Sequence, residues 1–368
     1  MRVVVLGQDC DPRSNAVWFE VLRQQPESEL FLPVEKRHET ESMSRLREAA
    51  PDVYSRMRLV HMRKPLGETS ALWFGLRQQL QDAQPELVHV VAEPWAPVAQ
   101  RVSRWPWPFV IHGAENILDT APLPYRIRRM GMRTVLTTAS GAVSWGYTGL
   151  AAMQNAGLPV GTPSALSASR APDPMNFLAS PLPDQVSPLR VAYCGRLIKL
   201  KGVQTLLESL SALPTGTTEL RILGEGKYRD SLEKLSLELG TSVEFLGHGS
   251  ERDVADLLRW SHVVAVPTLV GRRFKEQWGR IAVEAMMCGR VVVASDSGEL
   301  PLLLGDSDMV FPHGDEVSLS RILSRLSIDR SFLGQKAAAF ARRASVFTPE
   351  TQARALVELW QRIGESST

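Results

Sequence analysis

A chain of 368 residues is longer than one hydrophobic core supports, so two domains are expected. An apolar fraction of 44%, a charged fraction of 22% and a net charge of +2 are those of an ordinary soluble protein. Charge is even along the chain, with 19 Lys+Arg against 18 Asp+Glu in residues 1–185, which excludes the basic excess that nucleic-acid binding demands.

Met1 leads directly into the strand-like Arg2–Gly7, so no signal peptide is expected, and no apolar run has the length to span a bilayer. Cys10, Cys194 and Cys288 sit in or beside apolar stretches and read as buried free thiols of a reducing compartment. A cytoplasmic protein, peripheral at a membrane at most, is expected. Short β-branched runs then alternate with amphipathic segments, the pattern of βα units in parallel sheets. Strands are predicted near Val3–Leu6, Leu30–Val34, Leu59–Met62, Leu87–Val91 and Phe109–His112, with helices near Ala16–Gln25, Ser70–Ala83, Ala96–Trp105 and Tyr125–Thr137. The proline-rich Leu178–Pro188 is the linker candidate. Beyond it come strands near Leu189–Tyr193, Leu220–Leu223, Val243–Leu246, His262–Val266 and Val291–Ala294. Helices are predicted near Val203–Ala212, Arg229–Leu239, Asp253–Arg259 and Ile281–Met287, and terminal ones near Leu333–Arg343 and Thr351–Arg362. The expectation is an α/β protein of two Rossmann-like domains facing each other across a cleft. Residues 1–180 form the acceptor-side domain and 189–349 the nucleotide-sugar domain, and a helix at about 350–368 is a candidate to pack back on the first.

The most informative stretch is Lys275-Glu276-Gln277-Trp278-Gly279-Arg280-Ile281-Ala282-Val283-Glu284. It places Glu276 in a loop after a strand and Glu284 on the following helix. Crevices of α/β proteins open at that carboxyl end of the sheet, and two acceptor-only carboxylates there suit a ligand rich in hydroxyls. Upstream, Gly195-Arg196 and Lys201-Gly202 follow a buried strand and precede a helix, where guanidinium, ammonium and free N–H groups suit phosphate oxygens.

These segments, with Leu220–Gly226, Val243–Gly247 and Ser297-Gly298-Glu299-Leu300-Pro301, resemble the nucleotide-sugar domain of family-4 glycosyltransferases, which have the GT-B fold. His112-Gly113-Ala114-Glu115-Asn116 is similar to a first-domain element of that family. The resemblance implies a retaining enzyme that moves a hexose-type sugar from a nucleoside-diphosphate sugar to a hydroxyl acceptor, in glycan, glycolipid or glycosylated-metabolite synthesis, with no metal cofactor. By the same resemblance Glu276 holds the sugar, Glu284 the ribose, and Arg196 and Lys201 the diphosphate. Gly195, Gly224, Gly247, Gln277, Trp278, Gly279, Gly298 and Glu299 complete the donor site. His112 lies near the reacting centre, and Glu115 and Asn116 are on the acceptor side. Front-face attack is what the family implies, since no carboxylate dyad stands at the reacting carbon.

Plainer readings exist for each. Arg196 and Lys201 are two surface cations, Glu276 a solvated loop charge, Glu284 a helix-surface partner of an arginine, Gly224 a tight turn, and His112 a core-edge histidine. Asp9-Cys10-Asp11 and Asp306-Ser307-Asp308 fit turn chemistry better than a metal site. Trp18, Trp73, Trp95, Trp105, Trp107 and Trp145 concentrate in the first half, mostly as packing with some open to an acceptor. Arg126, Arg129 and Arg133 share a helical face that is better read as solvated than as lipid-binding. The loop Gly7–Asn15 lacks the glycine pair of relatives, and Ala171–Phe177 keeps only Asp173 of a usual motif. A sugar-nucleotide epimerase and a catalytically silent nucleotide-sugar-binding protein are the alternatives.

Overall fold

The computed structural model describes residues 1–63, 72–118, 131–183 and 188–366. Arg126 and Arg129, the first half of the helix expected at Tyr125–Thr137, Ser70, and residues 184–187 of the linker lie outside them. The chain divides into two compact units, Met1–Ala171 with Pro349–Thr368, and Pro172–Thr348.

The first unit carries eight strands: β1 (Val3–Leu6), β2 (Glu29–Val34), β3 (Met57–Arg63), β4 (Leu72–Trp73), β5 (Leu87–Val91), β6 (Phe109–Gly113), β7 (Gly141–Ser144) and β8 (Ser164–Leu166). Their order is β4-β3-β2-β1-β5-β6-β7-β8, parallel except for the antiparallel β3/β4 pair. β1, β5 and β6 are buried along their whole length, which is why they read as largely apolar runs. The second unit carries β9 (Leu189–Cys194), β10 (Thr218–Leu223), β11 (Val243–Gly247), β12 (Val263–Val266), β13 (Val291–Ser295) and β14 (Val310–Phe311). Their order is β11-β10-β9-β12-β13-β14, all parallel. Strand order reverses between β1 and β5 in the first sheet and between β9 and β12 in the second. Those two switch points are where the carboxyl ends of an open sheet leave room for a ligand.

Two histidines interrupt the apolar strands of the first sheet, and both are wholly buried. Trp360 Nε1–H donates to His89 Nδ1 at 2.9 Å. That leaves the His89 proton on Nε2, facing His112 Nδ1 at 3.1 Å, and His112 Nε2–H to donate to the Ser167 carbonyl at 2.8 Å. This assignment satisfies the three contacts with two neutral imidazoles. Trp18 packs edge-on against both rings. The helix Pro349–Glu365, which supplies Trp360, buries Gln352, Ala353, Leu356, Val357, Leu359, Trp360 and Ile363 at helical spacing. Its Gln352 Oε1 accepts from Ala168 N at 2.8 Å. A polar chain therefore joins the last helix to β5, β6 and the segment after β8.

Trp360→Phe removes the one donor to His89 Nδ1 in a dry environment, so a loss of about 1–3 kcal/mol in urea unfolding is expected. Burial holds His89 well below its ordinary pKa and brings His112 to about 4. A histidine with a depressed folded pKa contributes its stability above the unfolded value near 6.5, and that contribution is lost as pH falls toward 4. Neither ring should titrate in an NMR series between pH 5.5 and 8. A ring titrating near pH 6.5 would contradict the neutral pair.

Candidate donor site

The loop after β9 is pinned to the loop after β10. Gly195 N donates to Leu223 O at 3.0 Å, Leu197 N to Glu225 O at 2.8 Å, and Tyr228 N to Leu197 O at 3.0 Å. Tyr193 OH donates to the Arg196 carbonyl at 3.1 Å, so the exposed Arg196 leaves the strand in a fixed direction. Gly224 sits between its neighbours. Its N–H donates to Gly247 O at 2.7 Å, and a Cβ on it would overlap the Gly195 carbonyl. The tight-turn role of Gly224 is thus visible directly, with Gly195, Gly224 and Gly247 lining up at the ends of three neighbouring strands.

A short turn, Lys199–Lys201, ends at Gly202 (φ +71°), which opens the helix Val203–Ser211. A Cβ at Gly202 would fall on the Pro267 carbonyl oxygen, so this backbone and the end of β12 approach as only glycine allows. The approach aims Lys201 across the switch point. Lys201 Nζ lies 2.6 Å from Glu276 Oε2, and the same oxygen accepts from Thr268 Oγ1 at 3.0 Å. Neither side chain is a solvated charge, since Lys201 is 19% and Glu276 15% exposed.

The loop bearing Glu276 is clamped on its other side. Glu276 N donates to Ser297 Oγ at 3.2 Å, Glu299 N to the Glu276 carbonyl at 3.0 Å, and Ser295 Oγ to the Thr268 carbonyl at 2.6 Å. Two expectations are corrected here. The Glu299 amide is already used by Glu276, and Glu299 itself is buried. The Trp278 side chain is also buried, its ring packed edge-on against Phe347 at 6.2 Å, so it supports the loop from behind. Gln277 and Gly298 are half-buried, Gly298 with φ +58°.

Gly279 (φ +85°) opens the helix Arg280–Met287, on which Glu284 is buried. Glu284 does pair with an arginine, Arg280 Nε at 2.6 Å, and Arg280 reaches on to Glu251 at 3.1 Å. It is not a surface glutamate, however. Burial raises its pKa to about 7 against the pull of Arg280. Burial raises the Cys194 thiol to about 12, with Glu284 adding to it, so this carboxyl stands behind the end of β9. Burial likewise raises Tyr193, with Cys194 and Glu276 pushing the same way and Arg196 opposing. Lys201 and Glu276 are thus paired beyond the end of β9, Arg196 follows directly on that strand, and Glu284 lies on the helix after the Glu276 loop.

The first-unit expectations fare differently. His112 is not at the surface but is the core residue described above, with both ring nitrogens engaged. Glu115 and Asn116 are half-buried after β6, and Asn116 Nδ2 lies 3.5 Å from Thr148 Oγ1. Sequence reasoning missed Glu93. It directly follows β5 in Ala92-Glu93-Pro94-Trp95, and its only signal was an acid at the carboxyl end of a buried strand. Its Oε1 accepts from Ala114 N at 2.8 Å and Glu115 N at 3.2 Å, while Oε2 is out of solvent with no partner. Burial, then the Glu115 charge, raises its pKa to about 8.

Both Asp-x-Asp matches are engaged by cations of the chain. Lys336 Nζ sits 2.7 Å from Asp306 and 2.9 Å from Asp308. Asp9 accepts from Arg170 at 2.8 Å and from Asp11 N at 2.9 Å. Among the described residues no group of three His, Cys, Asp or Glu is placed to hold a metal ion.

The two sheets, parallel but for the β3/β4 pair, have the GT-B fold. Solved structures carry the same fold. An Anabaena protein, Alr3699/HepE in complex with UDP, superposes with a TM-score of 0.74 at 18% identity, covering 98% of this chain and 100% of that one. A sucrose-phosphate synthase from Thermosynechococcus elongatus gives 0.70 at 16% identity, covering 100% of both. Residues 181–345 match the family model described as glycosyl transferases group 1. A D-inositol 3-phosphate glycosyltransferase of Corynebacterium jeikeium is 31% identical over 189 residues, 47% of this chain and 43% of the relative. The chain spans less than half the length of the curated relatives it matches.

Proposed function

We propose that this protein is a retaining glycosyltransferase that moves a hexose-type sugar from a nucleoside-diphosphate sugar to a hydroxyl acceptor. The observation that carries the reading is the Lys201–Glu276 pair at the switch point of the second sheet, with Arg196 on the loop after β9 and Glu284 on the helix that follows the Glu276 loop. A departing nucleoside diphosphate takes negative charge with it, and Arg196 and Lys201 are the groups that stabilise it. Because Lys201 is held by Glu276 before any ligand arrives, its charge needs no reorganisation when the glycosidic bond breaks. Glu276, oriented by Lys201 and Thr268, accepts from sugar hydroxyls, and Glu284 accepts from the ribose. Gly279 and Gly298 let the main chain approach the ligand without a Cβ in between. With both carboxylates occupied by hydroxyls, transfer follows the front-face course, the leaving phosphate taking the acceptor's proton. Two cations on the diphosphate make a resident metal unnecessary in this reading.

A UDP-bound neighbour of the same fold and inositol-phosphate glycosyltransferase relatives support a nucleotide-sugar donor and a hydroxylated acceptor. Free thiols at Cys10, Cys194 and Cys288 support a cytoplasmic location. No helix among the described residues is long and apolar enough to cross a membrane. The test is nucleotide release from UDP, GDP, ADP and dTDP sugars with and without candidate hydroxyl acceptors. Release of one nucleoside diphosphate only when an acceptor is present supports transfer. Interconversion of the sugar without release, or no turnover with any donor, refutes it.

A further inference from the structure

The first sheet has its own cavity at the β1/β5 switch point, with a volume of about 350 Å³. It is bounded by Gly7, Gln8 and Asp9 after β1 and by Glu93 and Trp95 after β5, with Trp73 and Met62 closing the side. This is where an open α/β sheet accepts a ligand, and none of the donor-site residues named above belongs to it. Its chemistry differs from that of the donor site. Trp73, Trp95, Met62, Val98, Pro33 and Pro97 make the wall mostly apolar.

Three charged side chains line it among the described residues: Asp9, Glu93 and Arg170. Asp9 and Arg170 cancel one another at 2.8 Å. The third is an acid that burial drives toward its neutral form. Among the described residues no net positive charge is left in the lining to meet a phosphate. Glu93 Oε2 and Arg170 Nε, however, are buried there without a partner among the described residues. An unsatisfied buried polar atom costs about 1–3 kcal/mol, a cost that a ligand hydroxyl placed there would relieve.

We propose that this cavity takes an uncharged, hydroxylated compound with an aromatic or aliphatic body, stacked on Trp95 and Trp73 and hydrogen-bonded to Glu93 and Arg170. On the proposed function, on which the word rests, this compound is the acceptor. The site is then selective against a phosphorylated acceptor of the kind named for the inositol-phosphate relatives. A neutral Glu93 donates to the ligand oxygen, whereas a phosphate dianion would meet Asp9 and Glu93 with a single, already neutralised cation in compensation.

Calorimetric titration with phenyl β-D-glucopyranoside and with myo-inositol 1-phosphate, without any nucleotide sugar, tests this directly. The glucoside is expected to saturate one site, tenfold or more weaker in Trp95→Ala and absent in Gln8→Trp, which fills the cavity from a partly exposed position. Inositol phosphate is expected to bind at least tenfold more weakly than the glucoside. Because the titration contains no nucleotide sugar, failure of the donor assignment and failure of this proposal separate. Tighter binding of inositol phosphate, no glucoside binding, or glucoside binding indifferent to both cavity variants would overturn it.

Discussion

Lys201→Ala is expected to lower kcat for sugar transfer by about 10²–10³, the loss seen when a single preorganised donor to a developing oxyanion is removed, roughly 3–4 kcal/mol. The size of the effect follows from where the ammonium is held. At 19% exposure it is shielded from solvent, and Glu276 and the Phe274 ring fix it at the strand ends. A flexible surface lysine would have to be ordered during the reaction and would contribute far less. The variant leaves Glu276 its hydrogen bond from Thr268, so the loop should persist and the unfolding temperature should fall by only a few degrees. Steady-state kinetics with the identified donor check the prediction. A kcat within threefold of the parent would remove Lys201 from the chemistry.

Gly202→Ala acts on the same residue through the backbone. Position 202 has φ +71°, where an L side chain is strained by about 1 kcal/mol. A Cβ there would also coincide with the Pro267 carbonyl oxygen, which belongs to buried main chain at the end of β12. Relief requires the loop after β9 and the end of β12 to part, and that breaks the Leu269 N to Leu200 O bond of 2.8 Å. A loss of roughly 3–5 kcal/mol is expected, a fall of about 10 °C in the transition of the second unit. Gln204→Ala, one turn on and only partly buried, should shift it by no more than about 2 °C. A Gly202→Ala transition within that range would show that the close approach is not required.

Much of the second unit was legible because Val263–Val266 and Val291–Ser295 are fully buried, largely apolar runs and the candidate donor-site residues follow strand ends. Lys201, Glu276 and Glu284 were readable for their distance from such ends. Where the structure departs, a polar group is doing structural work. His112 ends a strand as a ligand-binding histidine would, but its partners His89 and Ser167 come from 23 residues before and 55 residues after it. No local pattern announces such a chain. Trp278 and Glu299 lie within the right motif yet turn inward, a choice made by Phe347 and by the Glu276 carbonyl.

Other elements were missed for want of pattern. β7 is Gly141-Ala142-Val143-Ser144, with one β-branched residue, and the helix Glu39–Ala49 buries only Leu46. Glu93 was missed because burial of a carboxyl is a property of the folded neighbourhood of Ala114 and Glu115, not of the strand that precedes it.

The most direct measurement is calorimetric titration of whichever UDP, GDP, ADP or dTDP sugar the chain binds, at pH 6 and pH 8, in the parent and in Glu284→Gln. A ribose held by the ionised carboxylate must displace a proton from a group with a pKa of about 7, so parent affinity should rise about tenfold from pH 6 to pH 8. Glutamine keeps the shape and loses the charge-assisted hydrogen bonds, so its affinity at pH 8 should be about 10–100-fold weaker and flat with pH. Donor affinity undiminished in Glu284→Gln, with the parent's pH dependence intact, would contradict the assignment of this strand-end cluster to the nucleotide sugar.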